Sequence, residues 1–373
     1  MKSLGSTVLL AFFRVVVGLF GVVTLSFFIM DLVPGSPESG EKRLSPAVEA
    51  LALSTFGLAD TVESPCSGEV TWVFGYSGFV RAGDTIVELQ NGCRVLAPIS
   101  GDVIYLGPKI GDKVGQSEIV SAIRPSLHIR YFRFIKNLAK GNLGVTFSSG
   151  GKLGVAECLA QGFRVSMVVG VFALILALAI GIPLGLFFAF GGDGKYRAGL
   201  LLSCVILATP SIVLAPLLQF VLAEKLRWFS LAGLDSPKDI VLPAVTLGIV
   251  ASAPILRITM SSVADFLRGP IAKALVARGI SKARLLFVHA LRHSLVALLG
   301  ILPPIAAGLL AGSLIVEKVF NLPGIARDLV ASAMNRDYPL VIGVVLVYST
   351  MLLTLSFLAN VALALVDPRM RNR

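Results

Sequence analysis

Long apolar runs are the feature that most limits what this chain can fold into. A helix that crosses a bilayer needs about 20 predominantly apolar residues, and six stretches of the sequence reach that length. They lie at roughly 8–32, 165–190, 198–222, 240–262, 296–316 and 340–366. We therefore expect an all-α polytopic membrane protein with six transmembrane helices.

Composition agrees with this expectation. Hydrophobic residues make up 55% of the 373 residues and charged residues only 15%, whereas a soluble protein has about 25% charged residues. This balance excludes a disordered chain and a disulfide-stapled miniprotein. The net charge of +11 lies between apolar runs, so basic loops at a membrane surface explain it better than a nucleic-acid partner.

The first run is interpreted as an uncleaved anchor. It is too long for the apolar part of a signal peptide, and no small-x-small cleavage site follows it. Orientation is predicted from Lys and Arg in short loops, which favour the cytoplasmic side. The segments 1–7, 191–197, 263–295 and 367–373 carry more of them than the two short outer loops. Both termini are therefore expected inside.

Polar and helix-breaking residues within the runs are few. Arg257, in the fourth run, is the clearest ionisable group, and deep acidic groups are missing. Carriers driven by ions or protons usually bury such groups, so a self-sufficient secondary transporter is disfavoured. Prolines such as Pro210 in the third run are either kink points or ordinary tolerated membrane prolines.

An internal repeat marks the long segment between the first two runs. Ser64 to Val70 reads S-P-C-S-G-E-V, and Ala97 to Val103 reads A-P-I-S-G-D-V. Short β-branched stretches between Gly and Asp turns indicate strands and hairpins. Two copies of four short strands predict a small pseudo-symmetric β-sandwich over residues 62–124.

This insert resembles the barrel-sandwich hybrid fold of biotinyl and lipoyl domains. In that family a modified lysine lies on the hairpin between the halves, and here the position is occupied by Gln90. The resemblance therefore implies a structural or docking module without an attached cofactor. Cys66 and Cys93 form a disulfide if the compartment is oxidising, or remain free buried thiols.

The chain carries no visible catalytic machinery. It lacks a phosphate-binding G-x-x-x-x-G-K-[ST], and its nearest candidate, Gly191 to Lys195, has the wrong spacing. It also lacks a G-x-S-x-G elbow, an H-E-x-x-H helix and any CxxC pair. We predict no enzyme, no cofactor and no metal site, so energy for any transport must come from a partner protein.

The loop 263–295 indicates where such a partner binds. Small and apolar residues at helical spacing predict a short amphipathic helix that Gly279 ends, and basic Arg278 suits the negative end of its dipole. Such a helix either inserts into a groove of a soluble protein or lies on the membrane surface. The candidate docking residues are Lys273, Ala274, Ala277, Arg278, Gly279 and Ile280.

This loop resembles the "EAA" loop of ABC-importer permeases of the dipeptide, oligopeptide and nickel family. Ala277, Arg278 and Gly279 match, followed by the H-A-L-R run that starts at His289. Other matches occur in the family's order along the chain. The residues that carry them are Pro34, Gly35, Gly141, Leu143, Gly144, Arg257, Glu317, Pro323, Gly324, Asp337, Tyr338 and Pro339. Ile271, Val276 and Met260 depart from the family's usual Tyr, Arg and Arg.

The resemblance implies a division of the chain around an importer-type permease bundle. The expected divisions are the first helix 1–35, a linker 36–61, the extracytoplasmic insert 62–124, an outer lead-in 125–164, a five-helix core 165–366 with the coupling loop 263–295, and a cytoplasmic tail 367–373.

The resemblance also implies a function. The expected protein is a bacterial inner-membrane permease subunit that imports peptides or a related small solute. Its implied partners are membrane lipid, a second homologous permease, two cytoplasmic ATPases that push on residues 270–281, and an extracytoplasmic solute-binding protein. Residues 324–338 are expected to form an outer gating helix. A component of an export system and a membrane-anchored adaptor that uses the insert for docking are the alternatives.

Overall fold

The structure of the protein is a computed structural model that describes residues 4–32, 50, 53–55, 57–75, 78–146, 153–335 and 337–366. Pro34 and Gly35, most of the expected linker and the tail 367–373 lie outside these residues. The described residues group into two compact units. The helical unit is drawn from 1–21, 161–330 and 346–373, and the mixed unit from 22–160 and 331–345.

Helices account for most of the chain. In order they are α1 (Leu4–Leu32), α2 (Leu127–Ala139), α3 (Val155–Phe190), α4 (Gly192–Ala208), α5 (Ser211–Leu218), α6 (Val241–Arg268), α7 (Pro270–Ala277), α8 (Lys282–Arg284), α9 (Leu291–Leu310), α10 (Leu314–Val319), α11 (Ile325–Met334) and α12 (Tyr338–Val366). Two π-helical segments, π1 (Gln219–Lys225) and π2 (Leu285–Ala290), and a 3₁₀ turn (Pro237–Ile240) complete the set.

Small residues allow α3 and α6 to pack closely in the helical unit. A Cβ placed on Gly181 would lie 2.8 Å from Ile255, and one on Gly185 would lie 2.6 Å from Thr259. Gly181 and Gly185 are one helical turn apart, in the small-xxx-small pattern that lets membrane helices approach. The segment from Gly181 to Gly185, G-I-P-L-G near the end of the second run, therefore forms a helix–helix contact.

The third apolar run is not the single continuous helix that the sequence predicted. It consists of α4 and a second piece, Ser211–Lys225, which meet at an angle of 89°. Thr209, before the break, is extended (φ −86°, ψ 107°), the conformation that a following proline imposes on its neighbour. Pro210 thus ends α4 rather than merely kinking it.

Several helices have the length and composition of membrane spans. Within the described residues, five are long and apolar enough to cross a bilayer, or six if the bent pair counts as one span. The long helices at 8–29, 155–190, 237–268, 282–319 and 338–363 overlap the other five predicted runs.

A β insert is present in the mixed unit, as predicted. Its eight strands are β1 (Asp60–Glu63), β2 (Gly68–Val73), β3 (Phe79–Val80), β4 (Thr85–Leu89), β5 (Arg94–Leu96), β6 (Gly101–Leu106), β7 (Lys113–Val114) and β8 (Ile119–Pro125). They form two antiparallel four-stranded sheets in the orders β1-β8-β6-β3 and β5-β4-β2-β7. Side chains such as Val80, Ile86 and Ile123 are fully buried in the apolar core of this domain.

The sequence repeat explains this topology. If β1 to β4 are replaced by β5 to β8 and the reverse, the strand order of one sheet becomes the order of the other. The turns repeat as well, because Asp84 accepts a hydrogen bond from the Arg81 amide (2.7 Å) and Glu118 accepts one from the Gly115 amide (2.7 Å). The insert is therefore built from two copies of one unit. Its membership of the biotinyl-domain fold stays a prediction.

The hairpin between the two copies is held by several local contacts. Gln90 is exposed there, and Asn91 donates a hydrogen bond to the Ser67 carbonyl (3.0 Å). A disulfide joins Cys66 to Cys93, with their Cα atoms 6.7 Å apart. Of the two states that the sequence left open for these cysteines, the structure has the disulfide.

Candidate coupling surface and buried carboxylate clamp

The residues at both ends of helix α7 determine where the helix starts and stops. Gly269 is extended (φ −74°, ψ 162°) and Pro270 occupies the first helical position, where its missing N–H is not needed. At the other end Gly279 has φ +75°. The Gly279 and Ile280 amides donate to the Val276 and Leu275 carbonyls at 2.9 and 3.2 Å. This pair of bonds is the Schellman motif, so the helix ends where the sequence predicted.

The side chains of α7 form an exposed patch, which we call the coupling surface. Ala272 is buried against the helical unit, whereas Ile271 and Val276 are each 57% exposed. The remaining members of the coupling surface are Lys273, Ala274, Ala277 and Arg278, all exposed. Gly279 is also exposed and Ile280 is half-buried. The predicted docking residues thus lie together on one short helix and the three residues that follow it.

Two departures from the family pattern lie within the coupling surface. Ile271 and Val276 replace polar residues with apolar side chains that remain exposed, and exposed apolar patches mark interaction sites. π2, which contacts α7, also exposes Phe287 and Val288; sequence reasoning did not single these out. The third departure, Met260, is fully buried and takes no part in the surface.

The base of α7 is anchored to the bundle. Leu186, Val263 and Ala290 form an apolar cluster that joins α3, α6 and π2. Arg268, the last residue of α6, lies 3.5 Å from Asp193. Because both side chains are exposed, this ion pair contributes at most about 1 kcal/mol. The apolar cluster is therefore the main tie between the coupling loop and the membrane helices.

Glu317 forms a buried carboxylate clamp in the helical unit. The side chain is only 4% exposed. One carboxylate oxygen accepts a hydrogen bond from the Ser166 hydroxyl (2.6 Å), and the other accepts one from the Arg327 amide (3.0 Å). The Ser166 hydroxyl in turn accepts from the Ile325 amide (3.0 Å). The clamp therefore connects α3, α10 and the first turn of α11.

The clamp explains two of the predicted motif residues. Gly324 precedes α11 and has no side chain with which to cap it, so Glu317 supplies the acceptor for the orphan amides of the first turn. A carboxylate there also faces the positive end of the helix dipole. A Cβ on Gly324 would overlap the Glu317 carboxyl group, which explains the glycine. Pro323, before it, is exposed.

A small cavity borders the clamp. It is lined by Val169, Leu247, Gly312, Leu322 and other residues, and its size suits about one water molecule. Asp328, in the first turn of α11, is half-buried, and this burial raises the pKa of its carboxyl group, while Arg327 opposes the rise.

A second buried carboxylate joins two motifs that are far apart in sequence. Asp337 is fully buried; it accepts a hydrogen bond from the Thr146 hydroxyl (2.6 Å) and another from the Leu340 amide (3.4 Å). Asp337 therefore caps α12, which Tyr338 and Pro339 begin. Thr146 lies two residues after Gly144, at the end of the motif that contains Gly141 and Leu143.

This contact accounts for two motif matches that are far apart in the sequence but lie in the same mixed unit. Sequence reasoning identified Asp337 and the motif that ends at Thr146 but not the contact between them, and it missed Ser166, the hydroxyl partner of Glu317.

Arg257 lies in the middle of α6 and its side chain is exposed. Charged residues at such depth are costly in lipid and usually face a protein interior or a water-filled path. The helical unit does not bury the Arg257 side chain.

Comparison with known proteins identifies the chain. The model of the family described as binding-protein-dependent transport system inner membrane component matches residues 181–372, a range that includes α6, α7 and the Glu317 clamp residues of α10 and α11. The chain belongs to this permease family. The match covers the motif residues from Arg257 to Pro339 and confirms the resemblance drawn from the sequence.

Individual relatives agree. The oligopeptide transport system permease protein OppB of Salmonella typhimurium is 27% identical over 358 residues, 95% of this chain and 95% of its own length. The dipeptide transport system permease protein DppB of Bacillus subtilis is 31% identical over 246 residues, 66% of this chain and 80% of its own. A chain of the MetNI methionine ABC transporter aligns with a TM-score of 0.45 and 19% identity, over 57% of this chain and 97% of that one.

The permease is thus a membrane subunit of an ABC importer and not an enzyme. Importers of this family act through permease, ATPase and binding-protein components in a bacterial inner membrane. The export-component and adaptor alternatives are not favoured by these comparisons.

Proposed function

We propose that this permease forms half of a pathway for peptides and receives the energy of ATP hydrolysis through α7. The coupling surface is the observation that carries the proposal. A short helix with exposed small and apolar side chains, ended by Gly279, can insert into a groove of a soluble subunit. The names of OppB and DppB support peptides as the cargo.

The proposed topology has six spans, with α4 and Ser211–Lys225 acting together as the third. Basic segments at 1–7, 191–197, 263–295 and 367–373 favour the inside for both termini. The disulfide between Cys66 and Cys93 supports an oxidising, extracytoplasmic compartment for the insert, since such bonds are rare in the cytosol.

Two cytoplasmic ATPases are the proposed motor. Each permease of a pair offers one α7 to one ATPase, with Ile271 and Val276 in an apolar groove and Lys273 and Arg278 facing acidic rim residues. Closure of the ATPases on ATP moves α7, and the apolar cluster at its base passes this movement to α3 and α6. The result is alternating access driven by rigid-body motion.

A second homologous permease completes the proposed pathway. The exposed side chain of Arg257 supports this arrangement, because its charge requires a polar path or a protein partner at that depth. We place Arg257 at the contact between the two permeases, where it faces the cargo or the partner chain.

The outer face is proposed to receive cargo from a solute-binding protein. α11, which the Glu317 clamp connects to α3 and α10, is the proposed gate. The insert 62–124 is proposed as an extracytoplasmic docking module. Gln90 at the hairpin has no amine for an amide-linked cofactor, so no carrier chemistry is assigned to it.

Charge reversal tests the coupling assignment. In a tagged permease expressed with its partner subunits, Arg278→Glu should reduce the amount of ATPase that copurifies in mild detergent and should uncouple transport. Arg197→Glu is the matched control, since Arg197 is also basic and exposed but lies on a different inside segment. Normal ATPase recovery and uptake with Arg278→Glu would overturn the proposal.

A further inference from the structure

Helix α2 buries an arginine and leaves large apolar side chains exposed. Arg130 is buried and Arg133 is half-buried, and both have partners in the mixed unit. Arg130 donates to the Pro125 carbonyl (3.0 Å), and Arg133 pairs with Asp60 at 2.8 Å. The exposed face of α2 carries Phe132, which is 69% exposed, and Ile129. A helix that faces water normally presents polar residues outward. The exposed apolar side chains of α2 therefore indicate that this face does not lie in bulk water.

The aromatic residues of α2 pack against the end of α1. The Tyr131 hydroxyl lies 2.8 Å from the Thr24 hydroxyl oxygen. Phe27 lies 5.2 Å from Tyr131 and 5.5 Å from Phe134, measured between ring centroids, and Tyr131 also stacks on Phe28. These rings form a cluster at the last turns of a helix that is long and apolar enough to span a bilayer.

The exposed apolar surface continues from α1 onto α2. Leu25, Phe28 and Ile29 are exposed on the last turns of α1, where a membrane helix meets lipid. Tyrosine is enriched at the bilayer–water interface, and Tyr131 lies at this end of α1. The surface that Phe132 and Ile129 add is therefore adjacent to a lipid-facing surface.

The charge of this segment suits lipid headgroups. Residues 126–146 contain no Asp or Glu. Lys136 lies on the same face as Phe132, one helical turn further on, and Lys140 follows at the end of the helix; both are exposed. Lysines beside an apolar helix face are typical of helices that lie in the interface, because the ammonium groups reach the phosphates.

We propose that α2 lies along the membrane surface, with Phe132 and Ile129 in the headgroup–acyl boundary and Lys136 and Lys140 at lipid phosphates. The ion pair between Arg133 and Asp60 connects this helix to strand β1, so α2 serves as a membrane-resting platform for the β insert. The platform depends on α1 as a span and is independent of the cargo and of the coupling surface.

Depth measurement by spin labelling tests the proposal. Cys158 and Cys204, the cysteines of the described residues that lie outside the disulfide, are replaced by serine, while the disulfide is kept. Single labels are attached at Phe132→Cys and, as a matched control, at Ile110→Cys in the insert, since both native side chains are 69% exposed. The full permease is reconstituted with its copurifying partners in nanodiscs of phosphatidylethanolamine and phosphatidylglycerol.

We expect the label at 132 to collide more often with oxygen than with a water-soluble nickel complex, and the label at 110 to show the reverse. Ile129→Cys provides a second site on the same face with the same expectation, in case the first variant folds poorly. Nickel access at 132 equal to that at 110 would overturn the proposal, because the face would then lie in water. Protection of 132 from both reagents would also overturn it, because a protein would then cover the face.

Discussion

Substitution of Gly279 tests how α7 is ended. The residue has φ +75°, and an L-residue in that conformation costs about 1–2 kcal/mol. A Cβ there would meet no atom within 4 Å, so this backbone cost is the whole effect of Gly279→Ala. If docking requires the native end of α7, a cost of this size weakens ATPase binding by at most about 5- to 30-fold.

A series of variants at this position gives the prediction a direction. Asn tolerates the left-handed conformation better than Ala, so Gly279→Asn should weaken ATPase binding least. Gly279→Pro should weaken it most, because proline fixes φ near −65° and removes the amide that donates to the Val276 carbonyl. ATPase recovery from detergent and peptide-stimulated ATP hydrolysis should both fall in the order Asn, Ala, Pro.

The thermal stability of the permease provides the control for this series. Because Gly279 has no close neighbours, Gly279→Ala should lower the thermal stability of the solubilised permease by no more than this backbone cost of about 1–2 kcal/mol, and Gly279→Asn should lower it by less. Full coupling in Gly279→Pro would refute the reasoning. An equal loss in all three variants would do so as well, because the loss would then not follow the backbone conformation.

Three further substitutions probe the buried contacts. Glu317→Gln should lower the thermal stability of the permease by about 1.5–3 kcal/mol, because an amide cannot accept hydrogen bonds on both of its polar atoms. Thr146→Val should cost about 1–3 kcal/mol in the same assay, because it removes the hydroxyl donor to a buried carboxylate. Cys66→Ser should make the insert sensitive to limited trypsin digestion, since loss of a native disulfide costs about 2–5 kcal/mol.

Each of these variants has a matched control that should behave as the native protein. Glu224→Gln changes an exposed glutamate of the helical unit, Thr71→Val changes an exposed threonine of the insert, and Cys204→Ser removes an exposed free thiol. If a control loses as much stability as its partner variant, the corresponding buried contact is not the cause of the loss.

Features that depend on neighbours in the sequence were predictable. The end of α7 at Gly279 follows from glycine after a short amphipathic stretch. The β insert follows from the repeat at Ser64 and Ala97, because each copy supplies strands with its own turn residues. Both predictions rest on local chemistry, because a glycine or a turn carboxylate determines the backbone conformation only within a few residues of its own position.

Features that join distant residues were not predictable. The partners of the two buried carboxylates, Ser166 and Thr146, are 151 and 191 positions away from them. Ser166 lies in an apolar run and Thr146 follows a glycine-rich motif, and neither position indicates which distant carboxylate the hydroxyl contacts. Pro210 was named as a possible kink point, but the 89° angle at this position was not predicted. Hydropathy measures only the length of an apolar run, and a sharp turn between two apolar helices leaves that length unchanged.

Cross-linking from α7 tests the central claim most directly. A benzophenone attached at Ala274→Cys, in a permease whose Cys158 and Cys204 are replaced by serine, reports which protein the exposed helix contacts in inverted vesicles. The account predicts an adduct with the ATPase subunit, with a yield that changes between the ATP-bound and nucleotide-free states. An absent ATPase adduct would contradict it. Labelling of the unmodified Ala274→Cys variant by an impermeant maleimide from the extracytoplasmic side would contradict it as well.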